Sequence, residues 1–221
     1  MARPARPTVA FQLAGSDGAD RLGFPLDRFL AKKAPTEGST VVDEARLEGS
    51  AAGLVAVTDG WFVLNVSDGP WVTSEKFADG CIFEGDKAPF ADLGFTLSVL
   101  QPGGPSGLYH AESTQEDFLV LSGECLLLIE GEERRLGPWD FVHCPPGTEH
   151  IFVGAGDGPC VIFMTGSRPE ERTIVYPRSE LALRHGAGVE TETTSPAEAY
   201  APFPKWQPGR PANLGMFELH R

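Results

Sequence analysis

Short apolar runs separated by glycine and proline fill the middle of the chain. One run alternates over residues 95–100 and ends at the Pro102-Gly103-Gly104 break. Five more runs follow, at 117–122, 124–130, 140–144, 150–153 and 160–165. Short strands with turn residues at regular intervals are typical of an all-β sandwich or barrel. The pattern therefore predicts an all-β domain over about residues 51–175.

The regions on either side have different patterns. Residues 54–57 and 61–66 are apolar and flank Asp59-Gly60, which predicts a β-hairpin made of extra N-terminal strands. Residues 1–50 are poorly patterned and predict an N-terminal extension with one short helix near 26–30. The predicted organisation is an extension over 1–50, a barrel over 51–175 and a tail over 176–221.

The tail predicts short helices followed by an extended, proline-rich segment. Residues 177–184 have helical composition with glycine just beyond them, and Ser195-Pro196-Ala197-Glu198 is a capping box that opens a second helix. Four prolines follow between 202 and 211. Such a tail is expected to wrap its own domain or a partner subunit.

Composition narrows the class of partner. The formal net charge is −13, and no lysine or arginine cluster exceeds two residues, which argues against nucleic acid and anionic membrane surfaces. No apolar run approaches the ~20 residues that cross a bilayer. The four cysteines show no Cys-x-x-Cys spacing, so we expect reduced thiols and a cytoplasmic protein.

Four metal-type donors lie at close spacing in the middle of the chain. His110 and Glu112 are two residues apart and would point to one face of a strand, with Glu116 shortly after them. His150 follows the Pro145-Pro146-Gly147 turn and begins another strand. Donors that converge from different strands are what a bound metal ion requires, so these four residues are candidate metal ligands.

The two segments resemble the two sequence motifs of the cupin superfamily. The first family motif, Gly-x5-His-x-His-x3,4-Glu-x6-Gly, is matched at Gly104, His110, Glu116 and Gly123, with Glu112 in place of the second histidine. The second is matched at Pro145, Gly147 and His150. The resemblance implies a jelly-roll barrel, the cupin double-stranded β-helix, and covers about residues 93–166.

The glutamate at position 112 leaves two roles open. As a ligand it would give a site of two histidines and two carboxylates, which favours Mn(II), Fe(II) or Zn(II) over copper. Off the metal, it could serve as a general base beside a set of two histidines and one carboxylate. A cupin barrel that has lost its metal is a third reading.

The resemblance implies an enzyme that acts on a small organic molecule, as an oxygenase or as an isomerase or lyase; a non-catalytic binding module for a small metabolite is the alternative. Gln115 is the polar candidate for the substrate pocket, and Phe118, Phe152 and Trp139 are candidates for its apolar wall. Tyr109 would face away from His110 on a regular strand. Cupins commonly pair through barrel edges, so we expect a homodimer.

Overall fold

A computed structural model describes residues 42–212. The helix predicted near 26–30 lies outside these residues. The described strands are β1 (Leu47–Gly49), β2 (Leu54–Ala56), β3 (Trp71–Thr73), β4 (Asp79–Ile82), β5 (Leu93–Leu100), β6 (Ala111–Glu112), β7 (Glu116–Ser122), β8 (Glu124–Ile129), β9 (Glu132–Leu136), β10 (Phe141–Cys144), β11 (His150–Ala155), β12 (Cys160–Ser167), β13 (Ile174–Val175) and β14 (Gln207–Pro208).

Two antiparallel sheets face each other and form the barrel. The larger has the strand order β10-β7-β12-β5-β4-β3-β14, and the smaller has the order β11-β8-β9. This arrangement confirms the predicted all-β jelly roll. Because β3 and β4 extend the same sheet as β5, residues 71–100 belong to this barrel and not to a second one.

Alternation along the strands separates the barrel interior from its outer faces. On β7, Phe118 and Val120 point inward and are at most 5% exposed. From the smaller sheet, Leu127 and Phe152 meet them in one apolar cluster. Burial of each such side chain stabilises the fold by about 1.5–3 kcal/mol. This packed layer lies beneath the site described below.

The hairpin predicted on either side of Asp59-Gly60 is wrong. β2 pairs with β1 through the register Leu54↔Gly49 to Ala56↔Leu47, and Trp61 forms an isolated parallel bridge with Glu44. Asn65 explains the loss of the second strand, because its side chain accepts a hydrogen bond of 2.9 Å from Ser67 N and opens a 3-10 turn. Such local side-chain bonds compete with strand pairing.

The predicted helices of the tail are confirmed and cover the barrel from outside. Helix α1 (Glu180–Arg184) begins at the cap residue Ser179, and helix α2 (Pro196–Ala199) begins at Ser195. Leu181 and Ala182 of α1 pack on the outer face of the smaller sheet. Beyond α2, β14 pairs with β3, so the described tail wraps its own barrel. Across residues 42–212, none of the helices has the length and apolar character needed to cross a bilayer.

Candidate metal centre

His110 and His150 lie opposite each other across an isolated antiparallel bridge. His150 begins β11, and His110 directly precedes β6. The two residues form an antiparallel bridge, with His150 N donating to His110 O at 2.9 Å and His110 N donating to His150 O at 3.2 Å. Their side chains therefore leave the same face of the sheet, and the ring centroids are 5.0 Å apart.

Glu116 meets the two histidines from the opposite sheet. It begins β7 and shares the inward face with Phe118. Its Oε2 lies 3.9 Å from His110 Nε2 and 3.6 Å from His150 Nε2. One ligand atom from each of the three residues, called the donor group below, lies within 4.8 Å of the others. Ligands at about 2.0–2.2 Å from one ion are about 3–3.5 Å apart, so a small inward movement would close the group around a cation.

Backbone carbonyl groups set the tautomer of both histidines. His110 Nδ1 donates to Leu108 O at 2.7 Å, and His150 Nδ1 donates to Thr148 O at 3.0 Å. A carbonyl can only accept, so Nδ1 carries the proton and the Nε2 lone pair is free to face Glu116. A second nitrogen bonded in this way is the usual arrangement for metal-binding histidines.

Burial sets the charge of the donor group. It lowers the pKa of His150 to about 4, an effect reinforced by neighbouring His110, and it also lowers the pKa of His110. Burial, together with the carboxylate of Glu112, raises the pKa of Glu116 to about 8. At neutral pH the group is therefore uncharged without an ion, and a cation would reverse the shift at Glu116.

Glu112 lies near the donor group but not in it. Its Oε2 accepts a hydrogen bond of 3.0 Å from the hydroxyl of Thr114. The side chain still faces the cavity into which Glu116 points, and its charge acts on both Glu116 and His110. Of the four predicted donors the structure thus brings three together, and places the fourth beside them.

A cavity of about 260 Å³ opens next to the donor group. Its lining includes Glu112, Glu116, Phe118, Met164, Arg168 and Arg172. Glu112 and Arg172 also border a second cavity of about 650 Å³ that extends toward Thr194 and Pro196. Two imidazole nitrogens and one carboxylate fit a divalent transition ion, and this opening would leave room for a substrate.

Comparison with known proteins identifies the barrel that carries this group. Residues 96–166 match the family model described as Cupin domain. The chain contains a cupin domain. The resemblance seen in the two motifs is thereby confirmed, and the matched range includes all three members of the donor group.

A curated relative and two solved structures share parts of the cupin domain. The chain is 32% identical over 113 residues to the dimethylsulfoniopropionate lyase DddQ of Ruegeria pomeroyi. The aligned region covers 48% of this chain and 54% of the lyase. The chain therefore spans about half the length of that relative. A sugar phosphate isomerase of Silicibacter pomeroyi is 27% identical, with 44% of this chain and 63% of that chain covered and a TM-score of 0.40. KdgF of Halomonas sp. is 25% identical, with 50% and 97% covered and a TM-score of 0.42.

The predicted pocket residues occupy different places in the cupin domain. Phe118 lines the cavity, and its ring is 5.1 Å from that of His150. Phe152 lies deeper, 4.8 Å from Phe118 in the packed interior. Gln115 is exposed and donates to Asp117. Trp139 is not part of the wall, because a φ of 74° turns it outward and leaves it 75% exposed.

Several residues around the site were not predicted from the sequence. Arg168 and Arg172 lie in the loop after β12, and Tyr176 places its ring 5.9 Å from that of His110. Tyr200 reaches the same region from the end of α2. The arginines belong to no motif, and a charged loop after a strand is ordinary surface sequence. Tyr109, in contrast, faces away from the site as alternation predicts and packs under α1.

Proposed function

We propose that this protein is a metal-dependent enzyme that removes a proton from a small organic molecule, as lyases and isomerases do. His110, Glu116 and His150 would hold one divalent ion, with Fe(II), Mn(II) and Zn(II) favoured by these donors. Glu112 would act as the general base. The observation that carries the proposal is the position of Glu112, which faces the same cavity as Glu116 but lies outside the donor group.

The division of roles between the two glutamates follows from their surroundings. Glu116 is 16% exposed and directed at two imidazole nitrogens, so it is suited to coordination. Glu112 is anchored by the Thr114 hydroxyl and borders the open space where a substrate would sit. A bound divalent ion would supply Lewis acidity to a substrate oxygen. Glu112 would then take the proton from the neighbouring carbon.

The curated relative supports this reaction class. DddQ is by name a lyase, and an elimination needs a base that breaks a C–H bond while its electron pair forms a double bond and the leaving group departs with its own pair. The donor group and Glu112 supply the parts for the first half of that step.

A second candidate function is oxygen-dependent oxidation. The donor group consists of two histidines and one carboxylate, the ligand set of non-haem Fe(II) oxygenases. The two candidates differ in their need for dioxygen. A reaction that proceeds equally under nitrogen and in air favours the lyase or isomerase, and stoichiometric oxygen uptake favours the oxygenase.

The test is elemental analysis of protein purified without added metal or chelator. The variants are Glu116→Ala, His150→Ala and Glu112→Ala, with His143→Ala as a control, because His143 is an exposed histidine paired with Asp117. We expect about one ion per chain in the parent, the control and Glu112→Ala, and little in the other two. Loss of metal from the Glu112→Ala variant would show that Glu112 is a metal ligand. If the parent takes up no metal even after reconstitution, the proposed enzyme is refuted and the alternative, a non-catalytic binding module for a small metabolite, is favoured.

A further inference from the structure

We propose that the cavity beside the donor group selects a small molecule with a single carboxylate, which Arg172 binds. This inference rests on the proposed function, because it names the class of substrate for the same site. The lining of the cavity of about 260 Å³ combines two arginines with the apolar side chains of Phe118 and Met164, next to Glu116.

Arg168 provides charge to the cavity wall but is already paired. Its guanidinium lies over Gly94, where an added Cβ would be 2.5 Å from Arg168 Nε. Its Nη2 forms an ion pair with Glu84, whose side chain is 9% exposed. Arg168 N also donates to Asp92 O at 2.9 Å, which fixes the start of the loop. The Arg168 charge is therefore neutralised in place.

Arg172 is placed differently. Among residues 42–212 no carboxylate lies within ion-pair distance of its guanidinium, although it borders both the 260 Å³ and the 650 Å³ cavities. Glu112 borders the same two cavities. A guanidinium without a partner at the junction of two cavities is well suited to binding a carboxylate through two parallel hydrogen bonds.

The charge balance of the site favours a monoanion. The carboxylates of Glu112 and Glu116 together balance a bound dication, and the pair of Arg168 with Glu84 is neutral. Arg172 then contributes the one remaining positive charge of the cavity. A dianion such as phosphate would leave one negative charge uncompensated in a partly buried space, which is unfavourable.

The volume and the lining of the cavity limit which molecules it could hold. Its volume of about 260 Å³ is slightly below the usual range of small-molecule sites, about 300–1,000 Å³, so only a small molecule would fit. Phe118 and Met164 form the apolar part of the wall and suit a short carbon skeleton. With its carboxylate on Arg172, such a molecule would occupy the cavity that Glu112, the base of the proposed function, also lines.

The experiment measures binding of propionate to the protein by calorimetry, with and without Mn(II). Propionamide and inorganic phosphate serve as neutral and multiply charged probes. The variants are Arg172→Gln and Arg172→Lys, and the matched control is Arg178→Gln, because Arg178 pairs with Glu180 on the tail. We expect Arg172→Gln to weaken propionate binding about tenfold or more, Arg172→Lys to weaken it less, and the control to leave it unchanged. Mn(II) affinity should not change.

Three results would overturn the inference: propionate binding that is absent from the parent or unaffected by Arg172→Gln, propionamide binding as tightly as propionate, or phosphate binding more tightly than propionate. Failure of the proposed function has a different signature. A parent that binds no Mn(II) but loses propionate affinity on Arg172→Gln would refute the metal-dependent enzyme and retain the carboxylate site.

Discussion

The hydroxyl of Tyr200 accepts a hydrogen bond of 3.1 Å from the backbone N–H of Leu108, 92 residues earlier in the chain. The carbonyl of the same leucine accepts the Nδ1 proton of His110 at 2.7 Å. Tyr200 itself packs against Phe77 and Trp206, with ring centroids 5.4 and 5.5 Å away. Tyr200 is therefore a positioning residue, which fixes the backbone that orients one histidine of the donor group.

Replacement of Tyr200 by phenylalanine should weaken metal binding. The ring and its packing remain, but the Leu108 N–H loses its acceptor, so the carbonyl that holds His110 becomes less restrained. Loss of a group that orients a metal ligand reduces metal affinity by about 10- to 100-fold, and we expect the lower end because Tyr200 acts through the backbone. Competition with a chelator dye measures this affinity.

Tyr109→Phe is the matched control for Tyr200→Phe. Its hydroxyl also accepts a backbone hydrogen bond, from Gly131 N at 3.3 Å, but on the outer side of the smaller sheet. Both variants should lose a similar free energy of unfolding, and only Tyr200→Phe should lose metal affinity. Equal metal affinity in both variants would reduce Tyr200 to a packing role.

Metal binding should strengthen as the pH rises toward about 8. Burial raises the pKa of Glu116 to about 8, so below that value an incoming ion must displace its proton. The pKa of His150, about 4, means that this ring is already neutral. One displaced proton corresponds to a gain in affinity of about tenfold per pH unit, which levels off above about 8.

Chelator competition across this pH range measures the slope, with Glu116→Gln as its control. The amide has no proton to lose, so its weaker metal binding should be nearly independent of pH in the same interval. A slope of two or three protons in the parent would mean that the histidines are protonated in the metal-free protein, contrary to their burial.

Two turn glycines with the same backbone conformation should tolerate alanine very differently. Gly123 has a φ of 74°, and an added Cβ would lie 2.3 Å from Pro159 O. Gly131 has a φ of 78° with nothing within 4 Å. Gly131→Ala should therefore cost about 1–2 kcal/mol, the penalty of the left-handed conformation alone.

Gly123→Ala should cost about 3 kcal/mol or more, because overpacking against fixed backbone is added to the same conformational penalty. Urea unfolding of both variants measures the difference. Equal losses of stability would show that the chain near Pro159 moves away freely.

Edge strand β10 should carry the contact of a homodimer. The strand lies at the end of the seven-stranded sheet. Its first residue, Phe141, is 65% exposed, and Trp139, just before it, is 75% exposed. Exposed aromatic pairs of this kind are typical of interfaces. Phe141→Lys should raise the dimer dissociation constant by about 10-fold or more, since a buried aromatic side chain contributes about 1.5–3 kcal/mol.

Sedimentation velocity over a range of concentrations distinguishes dimer from monomer. Ile82→Lys is the control, because Ile82 is 38% exposed on β4, inside the sheet order and away from β10. A parent that sediments as a monomer would contradict the predicted homodimer. An equal effect of both variants would show that the contact does not involve β10.

Local spacing made the barrel and the donor group predictable. Alternation places Phe118 and Val120 inside, and the turn before His150 starts a strand at the residue that must face Glu116. Both features depend on neighbours within a few residues. Side-chain bonds at short range also explain the errors, since Asn65 ended a predicted strand and Asp117 drew Gln115 outward.

The residues that shape the pocket were not predictable for a different reason. Arg168 is placed by Glu84 and Gly94, and Tyr200 by contacts nearly a hundred residues away in sequence. No periodicity or motif records such pairings. The position of Glu112 off the donor group likewise depends on the Thr114 hydroxyl, which the motif treats as an unspecified residue.

The hydrogen bond between Tyr200 and Leu108 can form only late in synthesis, because Tyr200 lies near the C-terminal end of the described chain. Chains emerge from the ribosome N-terminus first, so His110, Glu116 and His150 are outside the exit tunnel before Tyr200 is made. The growing barrel then has all three donors but not the restraint on His110. Under the proposed function, the donor group would therefore be fully restrained, and ready to hold an ion, only after residue 200 has been translated and helix α2 has docked.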